Sequence, residues 1–447
     1  MNGDKSAGPL GSARTYDYLV VGAGAAGMAF VDELVRKSKT NRVLVVERRA
    51  QPGGHWNDAY DFVTLHQPAA FYGVGSRRLE RHAEDLATKA RILRYYRQVK
   101  NDLQRTGRVR FLMGHEFSED AGVRSLSGEV IDGLGWRKLV DTSFMDVRVP
   151  STSPPAYEVE DGVHLVPVNG LLGETQRWER YVVIGAGKTG MDVVLHLLSQ
   201  GVLPERIRWV MPNDVWLVNR RVMKADGRYA MLLFSALGRA SSNETALDKL
   251  EAAGVLLRLD TTRRPTRCRC ATVSEGELAD LRRVSSVIRL GRVRRIEPSR
   301  IILENGEVPT DQATLHVDCS SNGLPRREGR KTFEESRITP QSVFLCQPTL
   351  SAAFVAHVEL MFEDDSVKNH LCEVVPHPVM PEDVVDGFGR TFRNNVRWGK
   401  HWGLVRWMLS HRLSNARHYH FLPKLQHIGI AIWVIPRLAE RMEAWVK

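Results

Sequence analysis

The sequence has no long apolar run. Its longest, Ile-Gly-Ile-Ala-Ile-Trp-Val-Ile at 428–435, is far shorter than the roughly 20 apolar residues of a membrane-spanning helix. Residues 1–13 are small and polar and lack the apolar segment of a signal peptide. We therefore expect a soluble, cytoplasmic protein, with residues 1–14 as a disordered tail.

Cysteine is scarce, and no Cys-x-x-Cys occurs. This absence argues against a zinc ribbon, a disulfide scaffold and a dithiol-type flavin reductase, whose redox pair usually has that spacing. Cys268 and Cys270 could form a metal or redox pair, but two thiols flanked by arginines are more often incidental. We predict no metal site. The five cysteines are Cys268, Cys270, Cys319, Cys346 and Cys372.

Acidic residues are absent from 387–438, in a chain whose formal net charge is +11. Arginines and lysines alternate there with Trp398, Trp402 and Trp407. Such a stretch can contact an anionic membrane surface or an acidic protein, so peripheral membrane contact through 388–438 is one interpretation. We favour a helical cap whose tryptophans pack on the rest of the protein. Because no recognition motif accompanies the charge, we expect no nucleic-acid binding.

What the sequence does contain is globular composition, with 43% hydrophobic and 26% charged residues over a length of 447 that favours two or three domains. A short apolar run, Tyr-Leu-Val-Val at 18–21, precedes a glycine turn, and a second apolar run ends at Glu47. Glycines at this spacing permit a tight turn, close approach of a pyrophosphate and close packing of helix on strand, and the acid accepts hydrogen bonds from a ribose diol. The pattern predicts a dinucleotide site whose contacts are Gly22, Gly24, Ala26, Gly27, Glu47 and Arg48.

A second copy of this turn follows the run Tyr-Val-Val-Ile at 181–184. Gly-Lys-Thr within it resembles the end of a triphosphate-binding loop, but Val182 stands where that motif needs glycine. We therefore predict a second dinucleotide site, at Gly185, Gly187, Lys188, Thr189 and Gly190.

The second site has no acid in the position that Glu47 occupies in the first, since Met211 stands near it. Arg220 and Arg221 follow, which favours a nucleotide with a 2′-phosphate, while Asp214 argues the other way. The pattern favours NADPH over NADH. Two such sites imply an electron donor and an acceptor, and FAD is the natural acceptor.

With both turns in place, the sequence resembles the single-component (class B) flavin-containing monooxygenases over roughly residues 15–360. The resemblance rests on the paired turns with Gly-Gly-His-Trp at 53–56 between them. It implies that Gly54, His55 and Trp56 contact FAD, that His66 and Gln67 lie beside its ring as candidate catalytic residues, and that a helix beginning near Ser351 faces the flavin. The chain departs from the family at 161–178, which lacks the fingerprint Phe-x-Gly-x-x-x-His.

The activity that the resemblance implies is that of an NADPH-dependent FAD monooxygenase. It would insert one oxygen atom from O₂ into a small-molecule substrate, at nitrogen, sulfur or a carbonyl carbon, through a flavin hydroperoxide. The substrate could be anionic or carried by an acidic protein. The alternatives are an NAD(P)H-dependent flavin oxidoreductase without oxygen insertion, a single-component flavin halogenase, and a nucleotide-binding scaffold without redox activity.

The fold class follows from the two repeated units: an α/β protein with two Rossmann-like domains, the NADPH domain inserted in the FAD domain, and a C-terminal helical segment. We predict a first part of the FAD domain at 15–165, the NAD(P)H domain at 166–312, the second part of the FAD domain at 313–372, and a basic helical region at 373–447. Strand-like segments between 109 and 144 predict a small antiparallel unit.

Overall fold

The computed structural model describes residues 14–147, 149–152, 154–175, 178–223, 228–321, 323, 327–418 and 434–446. Its strands are β1 (Arg14–Val21), β2 (Val43–Glu47), β3 (Val109–Met113), β4 (His115–Ser118), β5 (Gly122–Ser125), β6 (Leu134–Asp141), β7 (Glu158–Val159), β8 (Leu165–Pro167), β9 (Arg180–Ile184), β10 (Ile207–Val210), β11 (Val215–Asn219), β12 (Leu256–Leu257), β13 (Arg267–Val273), β14 (Val287–Ile288), β15 (Val293–Glu297), β16 (Arg300–Leu303), β17 (Gly306–Pro309), β18 (Thr314–Asp318), β19 (Phe333–Glu334) and β20 (Arg337–Ile338).

The α-helices are α1 (Ala25–Lys37), α2 (Lys89–Arg105), α3 (Lys188–Ser199), α4 (Arg228–Gly238), α5 (Asn243–Ala252), α6 (Glu275–Leu281), α7 (Pro348–Met361), α8 (Asp365–Leu371), α9 (Pro381–Gly399), α10 (Trp402–Ser410), α11 (Asn415–His418) and α12 (Ile435–Val446). Short 3₁₀ helices lie at Gly54–Asn57, Ala69–Phe71, Pro150–Thr152, Val168–Gly173, Pro204–Arg206 and Arg220–Val222.

The first glycine turn belongs to a sheet in the order β19-β20-β6-β1-β2-β3. Every neighbouring pair is parallel except β19 and β20. All five residues of β2 are buried, as expected for a parallel strand covered on both faces. Helices α1 and α7 pack against each other over this sheet. Since α7 is buried from Thr349 to Glu359, it is a central helix of the core rather than a surface helix.

The second turn belongs to a separate, wholly parallel sheet in the order β14-β10-β9-β18-β8. The predicted fold class, two Rossmann-like units in one chain, is therefore confirmed. The boundary predicted at 313 is displaced, because β18 pairs with β9 and β8 on its two edges and belongs to the second sheet. The chain returns to the first sheet only at β19 and β20.

Smaller sheets complete the architecture. They are β12-β11-β13, β17-β16-β15-β7 and the hairpin β4-β5. The small antiparallel unit predicted between 109 and 144 is confirmed only for β4 and β5, whereas β3 and β6 are parallel members of the first sheet. Their apolar residues fill positions beside β2 and β1, which local sequence pattern does not reveal.

The C-terminal helices pack on both dinucleotide-binding units. Trp398 and Trp407 are buried, with their rings 4.4 and 5.5 Å from the ring of Phe354 on α7. Trp402 is 74% exposed. Two of the three tryptophans thus form the predicted helical cap. The basic segment 388–438 extends into residues 419–433, which lie outside the described residues. Across the described chain no helix has the length and apolar character needed to cross a membrane.

Candidate active site

The two glycine turns have the same geometry. Gly22 and Gly185 adopt left-handed backbone conformations, with φ of +99° and +127°, that favour glycine. A Cβ on Gly27 would lie 2.1 Å from the carbonyl oxygen of Gly22, and one on Gly190 would lie 2.1 Å from that of Gly185. The third glycine of each turn is therefore required by the approach of helix to strand, as the spacing predicts.

The middle glycines differ in what covers them. Gly24 and Gly187 are the N-cap residues of α1 and α3, and no side chain caps either helix. A Cβ on Gly24 would lie 3.5 Å from the Cα of Gly54, whereas one on Gly187 would meet no atom within 4 Å. Gly53 also donates a 2.9 Å hydrogen bond to the Ala23 carbonyl. The first turn is covered by the Gly53–Gly54 segment, and the second is open.

Both turns line one continuous cavity of about 1520 Å³. This exceeds the roughly 300–1,000 Å³ of a pocket for one drug-sized ligand. Most of the predicted contacts lie in its wall: Gly22, Gly24, Ala26, Gly27, Glu47, Arg48, Gly54, His55, Trp56, His66, Gln67, Gly185, Gly187, Lys188 and Thr189.

Glu47 lies at the end of β2 and is buried. Its Oε2 accepts a 2.7 Å hydrogen bond from the Ala23 N–H and its Oε1 one of 2.9 Å from the Arg49 N–H. The carboxylate thereby fixes the first turn, and each oxygen keeps a second lone pair for a ligand. Trp56, after the Gly-Gly segment, donates a 2.6 Å hydrogen bond from its indole to Tyr72 Oη.

His66 and Gln67 lie where the two dinucleotide-binding units meet. Burial and, to a lesser extent, the charges of Lys188 and Arg220 together lower the pKa of His66 to about 3, so the imidazole is neutral near pH 7. Within the described chain its buried Nδ1 has no hydrogen-bond partner. Gln67 is buried, and its Nε2 donates a 3.5 Å hydrogen bond to the Phe71 carbonyl.

Lys188 is held by a partner that the sequence did not suggest. Its ammonium forms an ion pair with Asp192, one turn along α3, and Asp192 also accepts a 2.6 Å hydrogen bond from Tyr60 Oη. Tyr60 comes from the first unit, so the three side chains join the two units at the cavity wall. The i, i+4 spacing of Lys188 and Asp192 is the only sequence signal for this contact.

Four predicted contacts do not line the cavity. Gly190 has only the packing role given above. Arg220 is half-buried: its Nε donates to the His66 carbonyl at 3.0 Å, and its guanidinium pairs with Glu277 at 2.8 Å. The side chain of Arg221 is 73% exposed.

Ser351 is fully buried, and its hydroxyl accepts hydrogen bonds from the N–H groups of 343 and 344. The cofactor contacts of Arg220, Arg221 and Ser351 therefore stay predictions that the lining of this cavity does not support.

An arginine cluster that the sequence reading missed lines the cavity near the end of β10. Burial lowers the pKa of Arg269, and the nearby charges of Arg267 and Arg292 lower it further, so three like charges are crowded together. The Arg267 N–H donates to the Asp214 carbonyl at 3.3 Å, which places the cluster beside the loop after β10. Such crowding of cations is typical of an anion site. The alternating arginines at 267 and 269 were the available signal.

The cavity wall also contains a disulfide between Cys270 and Cys346. This corrects the expectation for Cys270 alone, since Cys268 is free, and the bonded partner of Cys270 lies 76 residues away, beyond any local motif. Cys268, Cys319 and Cys372 are free and buried. Among the described residues, no three His, Cys, Asp or Glu side chains lie close enough together to hold a metal ion.

The family model for the NAD(P)-binding Rossmann-like domain matches residues 20–83. Similar solved structures include a flavin-containing monooxygenase from Stenotrophomonas maltophilia (15% identity, 77% of this chain and 97% of that chain, TM-score 0.46). They also include a cyclohexanone monooxygenase from Rhodococcus sp. Phi1 bound to NADP⁺ (14% identity, 80% and 84%, TM-score 0.45) and an oxidized steroid monooxygenase bound to NADP (15% identity, 86% and 91%, TM-score 0.49).

Among curated proteins, the similar sequences are mycobacterial. The uncharacterized proteins Rv2000 of Mycobacterium tuberculosis (strain ATCC 25618 / H37Rv) and Mb2023 of Mycobacterium bovis are each 41% identical to this chain over 453 residues. The alignments cover 97% of this chain and 82% of each relative. The chain therefore belongs to the same protein family as these mycobacterial proteins.

Proposed function

We propose that the protein is an NADPH-dependent FAD monooxygenase that inserts one oxygen atom from O₂ into a small-molecule substrate. The observation that carries the proposal is the shared cavity. Two dinucleotide-type turns from separate parallel sheets open into the same space, so a hydride donor and an acceptor could meet there.

The first turn fits FAD because its cradle is covered. Gly54 lies against Gly24, which leaves backbone but no side chain at the pyrophosphate position, and Trp56, two residues later, is buried in the cavity wall. Glu47 would bind the ribose diol and the N-terminus of α1 the pyrophosphate. At the start of α7, Gln347 lines the same cavity, and its buried Oε1 has no hydrogen-bond partner among the described residues. A binding turn that is covered by protein suits a prosthetic group that stays bound through the reaction.

The second turn fits an exchangeable NADPH. Gly187 is open to the cavity, and the cluster of Arg267, Arg269 and Arg292 lies at the end of β10, where the 2′-phosphate would be bound. Asp214, which as a free acid would repel that phosphate, is engaged by Arg289 in two hydrogen bonds of 2.9 and 3.0 Å. Its charge is therefore compensated. We assign the phosphate to the cluster rather than to the arginines at 220 and 221.

The chain's own part in the reaction is binding, orientation and exclusion of water, while bound FAD would supply hydride acceptance and oxygen activation. Neutral His66 offers a hydrogen bond from its unpartnered Nδ1 without placing a positive charge beside the ring. Lys188, fixed by Asp192 and Tyr60, offers a cation beside the nicotinamide-binding turn.

The substrate would occupy an apolar arm of the cavity between α4 and α9. Leu233 and Phe234 from α4 face Val384, Phe388 and Phe392 from α9 there. Because this lining offers few polar groups, we infer an uncharged organic substrate with a large apolar part, rather than the anionic substrate that the net charge first suggested. Contact of 388–438 with a membrane or an acidic carrier stays a prediction.

Three measurements test the proposal. The purified protein should be yellow, NADPH should bleach the flavin under anaerobic conditions far faster than NADH, and one atom of ¹⁸O₂ should appear in an oxidised apolar ketone, amine or sulfide. A protein that binds no FAD after reconstitution would contradict the whole assignment.

Rapid flavin reduction without any ¹⁸O transfer would instead favour the second candidate, a flavin oxidoreductase without oxygen insertion. The disulfide in the cavity wall is the observation that favours this candidate.

A further inference from the structure

The disulfide Cys270–Cys346 connects the two dinucleotide-binding units across the cavity. Cys270 lies on β13 and Cys346 immediately precedes Gln347, the N-cap residue of α7. Both cysteines have left-handed backbones, with φ of 53° and 55°, a conformation that only Asp146 shares among the other described non-glycine residues. Such conformations are costly for residues with side chains and cluster at functional sites.

Hydrogen bonds locate the disulfide beside the loop of His66 and Gln67. On one side, the Arg220 guanidinium bridges the Thr272 carbonyl, at 3.2 Å, and the His66 carbonyl, at 3.0 Å, and Thr272 Oγ1 donates to the Cys270 carbonyl at 3.3 Å.

On the other side, Thr349 Oγ1, three residues after Cys346, donates to the Phe71 carbonyl at 3.4 Å. Gln67 Nε2 donates to the same carbonyl at 3.5 Å. The hydrogen bonds on the two sides thus connect both ends of the disulfide to the His66–Phe71 loop. The disulfide therefore lies at the junction where the two cofactors would meet.

The remaining sulfurs are in a different environment. Cys268, Cys319 and Cys372 are buried, and burial raises the pKa of each thiol, that of Cys268 to about 12. They are held as inert thiols, although Cys268 and Cys319 also border the cavity, whereas Cys270 and Cys346 are only partly buried.

Positive charge adjoins the disulfide as well. Arg269 precedes Cys270 in the cavity wall, with Arg267 and Arg292 close by. Cys346 lies just outside the N-terminus of α7, whose helix dipole favours negative charge. Both surroundings stabilise a thiolate, the state that a reduced and reactive pair would need.

We propose that Cys270–Cys346 is a redox-active disulfide that accepts an electron pair from reduced FAD. The step rests on the proposed function. The two electrons break the S–S bond, the proton that the reduced anionic flavin loses with them completes the pair as one thiol and one thiolate, and the flavin returns to its oxidised form. NADPH is the source of the electron pair. A Cys-x-x-Cys motif is not needed, because the fold brings the two sulfurs together.

Anaerobic NADPH titration of the FAD-loaded protein, followed by thiol alkylation and mass spectrometry, tests this. Wild type should take up about two NADPH per FAD, one for the flavin and one for the disulfide. Alkylated thiols should rise from the three free cysteines to all five. Cys346→Ser should take up about one NADPH per FAD, with no NADPH-dependent gain in thiols. Cys268→Ala, which removes the neighbouring sulfur and keeps the disulfide, should also take up about two NADPH per FAD, with alkylated thiols rising from two to four.

The proposal is overturned if NADPH bleaches the flavin with about one equivalent and the thiol count stays at three, while a phosphine reductant raises it to five. Five alkylated thiols before any reduction would overturn it too. If NADPH fails to reduce the flavin, the proposed function fails. Photochemical reduction of bound FAD then tests the disulfide separately, and an unchanged thiol count would again overturn the proposal.

Discussion

The guanidinium of Arg220 donates a 3.0 Å hydrogen bond to the backbone carbonyl of His66, from the second dinucleotide-binding unit to the first. The same side chain donates to the Thr272 carbonyl and pairs with Glu277. An arginine that the sequence assigns to a 2′-phosphate is thus committed to holding the His66 loop against β13. Arg220 therefore links the two units at their junction.

Replacing Arg220 by Ala should destabilise the protein without changing its nicotinamide preference. A hydrogen bond from a charged donor contributes about 1.5–3 kcal/mol, and its removal leaves a buried partner unpaired. We therefore expect the free energy of unfolding, measured in urea, to fall by at least that amount. Arg221→Ala is the matched control, because its exposed pair with Glu275 should contribute less than about 1 kcal/mol. A stable Arg220→Ala protein with a selectively raised KM for NADPH would restore the original interpretation.

Gly24→Ala and Gly187→Ala should separate the two cofactor sites. Neither Cβ clashes with the protein, so both variants should fold, but each methyl group would enter a pyrophosphate position. We expect Gly24→Ala to be colourless with normal circular dichroism, and Gly187→Ala to remain yellow with at least about a tenfold higher Kd for NADPH.

Gly238→Ala, at the end of α4 with no atom within 4 Å of the added Cβ, is the control and should retain both cofactors. Loss of FAD from Gly187→Ala together with its retention by Gly24→Ala would mean that FAD binds at the second turn and NADPH at the first.

The sequence predicted those parts of the site that are local. Strand, turn and helix follow one another within a few residues, so Gly22 to Gly27 and Gly185 to Gly190 could be recognised with their roles. The burial of Ser351 could not be predicted, because a helix start predicted to within a few residues does not show which face its side chain occupies. Cys346 and Cys270, and Tyr60 and Asp192, are distant pairs, joined only when both sheets are assembled.

Arg292→Ala should weaken NADPH binding and leave NADH binding nearly unchanged. Its side chain lies in the cavity wall beside Arg269, at the position assigned to the 2′-phosphate, and loss of one charge-assisted contact corresponds to about a 10- to 100-fold rise in Kd. Titration with both nucleotides under anaerobic conditions measures the ratio. Equal weakening for NADPH and NADH would place the phosphate elsewhere and leave Arg292 with a general role in anion attraction.

Trp398 and Trp402 of the C-terminal region should differ sharply in their contribution to stability. Trp398 packs on Phe354 and donates a 2.7 Å hydrogen bond to the Leu371 carbonyl, so Trp398→Ala should cost about 3–5 kcal/mol. Trp402 is 74% exposed, so Trp402→Ala should change the free energy of unfolding by less than about 0.5 kcal/mol. Urea unfolding of both variants measures this. Equal losses in the free energy of unfolding of the two variants would contradict the prediction that a buried helical cap stabilises the protein.

The buried imidazole of His66 should make stability depend on pH in the acid range. Its pKa is about 3 in the folded protein, against an ordinary value near 6.5, because burial opposes the charged form. Between these values the unfolded chain binds the proton and the folded protein does not, so the stabilising effect is present above about pH 6.5 and is lost as the pH falls. His66→Gln should reduce the dependence of the unfolding free energy on pH by up to about 1.4 kcal/mol per pH unit near pH 5. His82→Gln, at an exposed position, is the control, and an unchanged slope in His66→Gln would show that the imidazole is protonated in the folded protein.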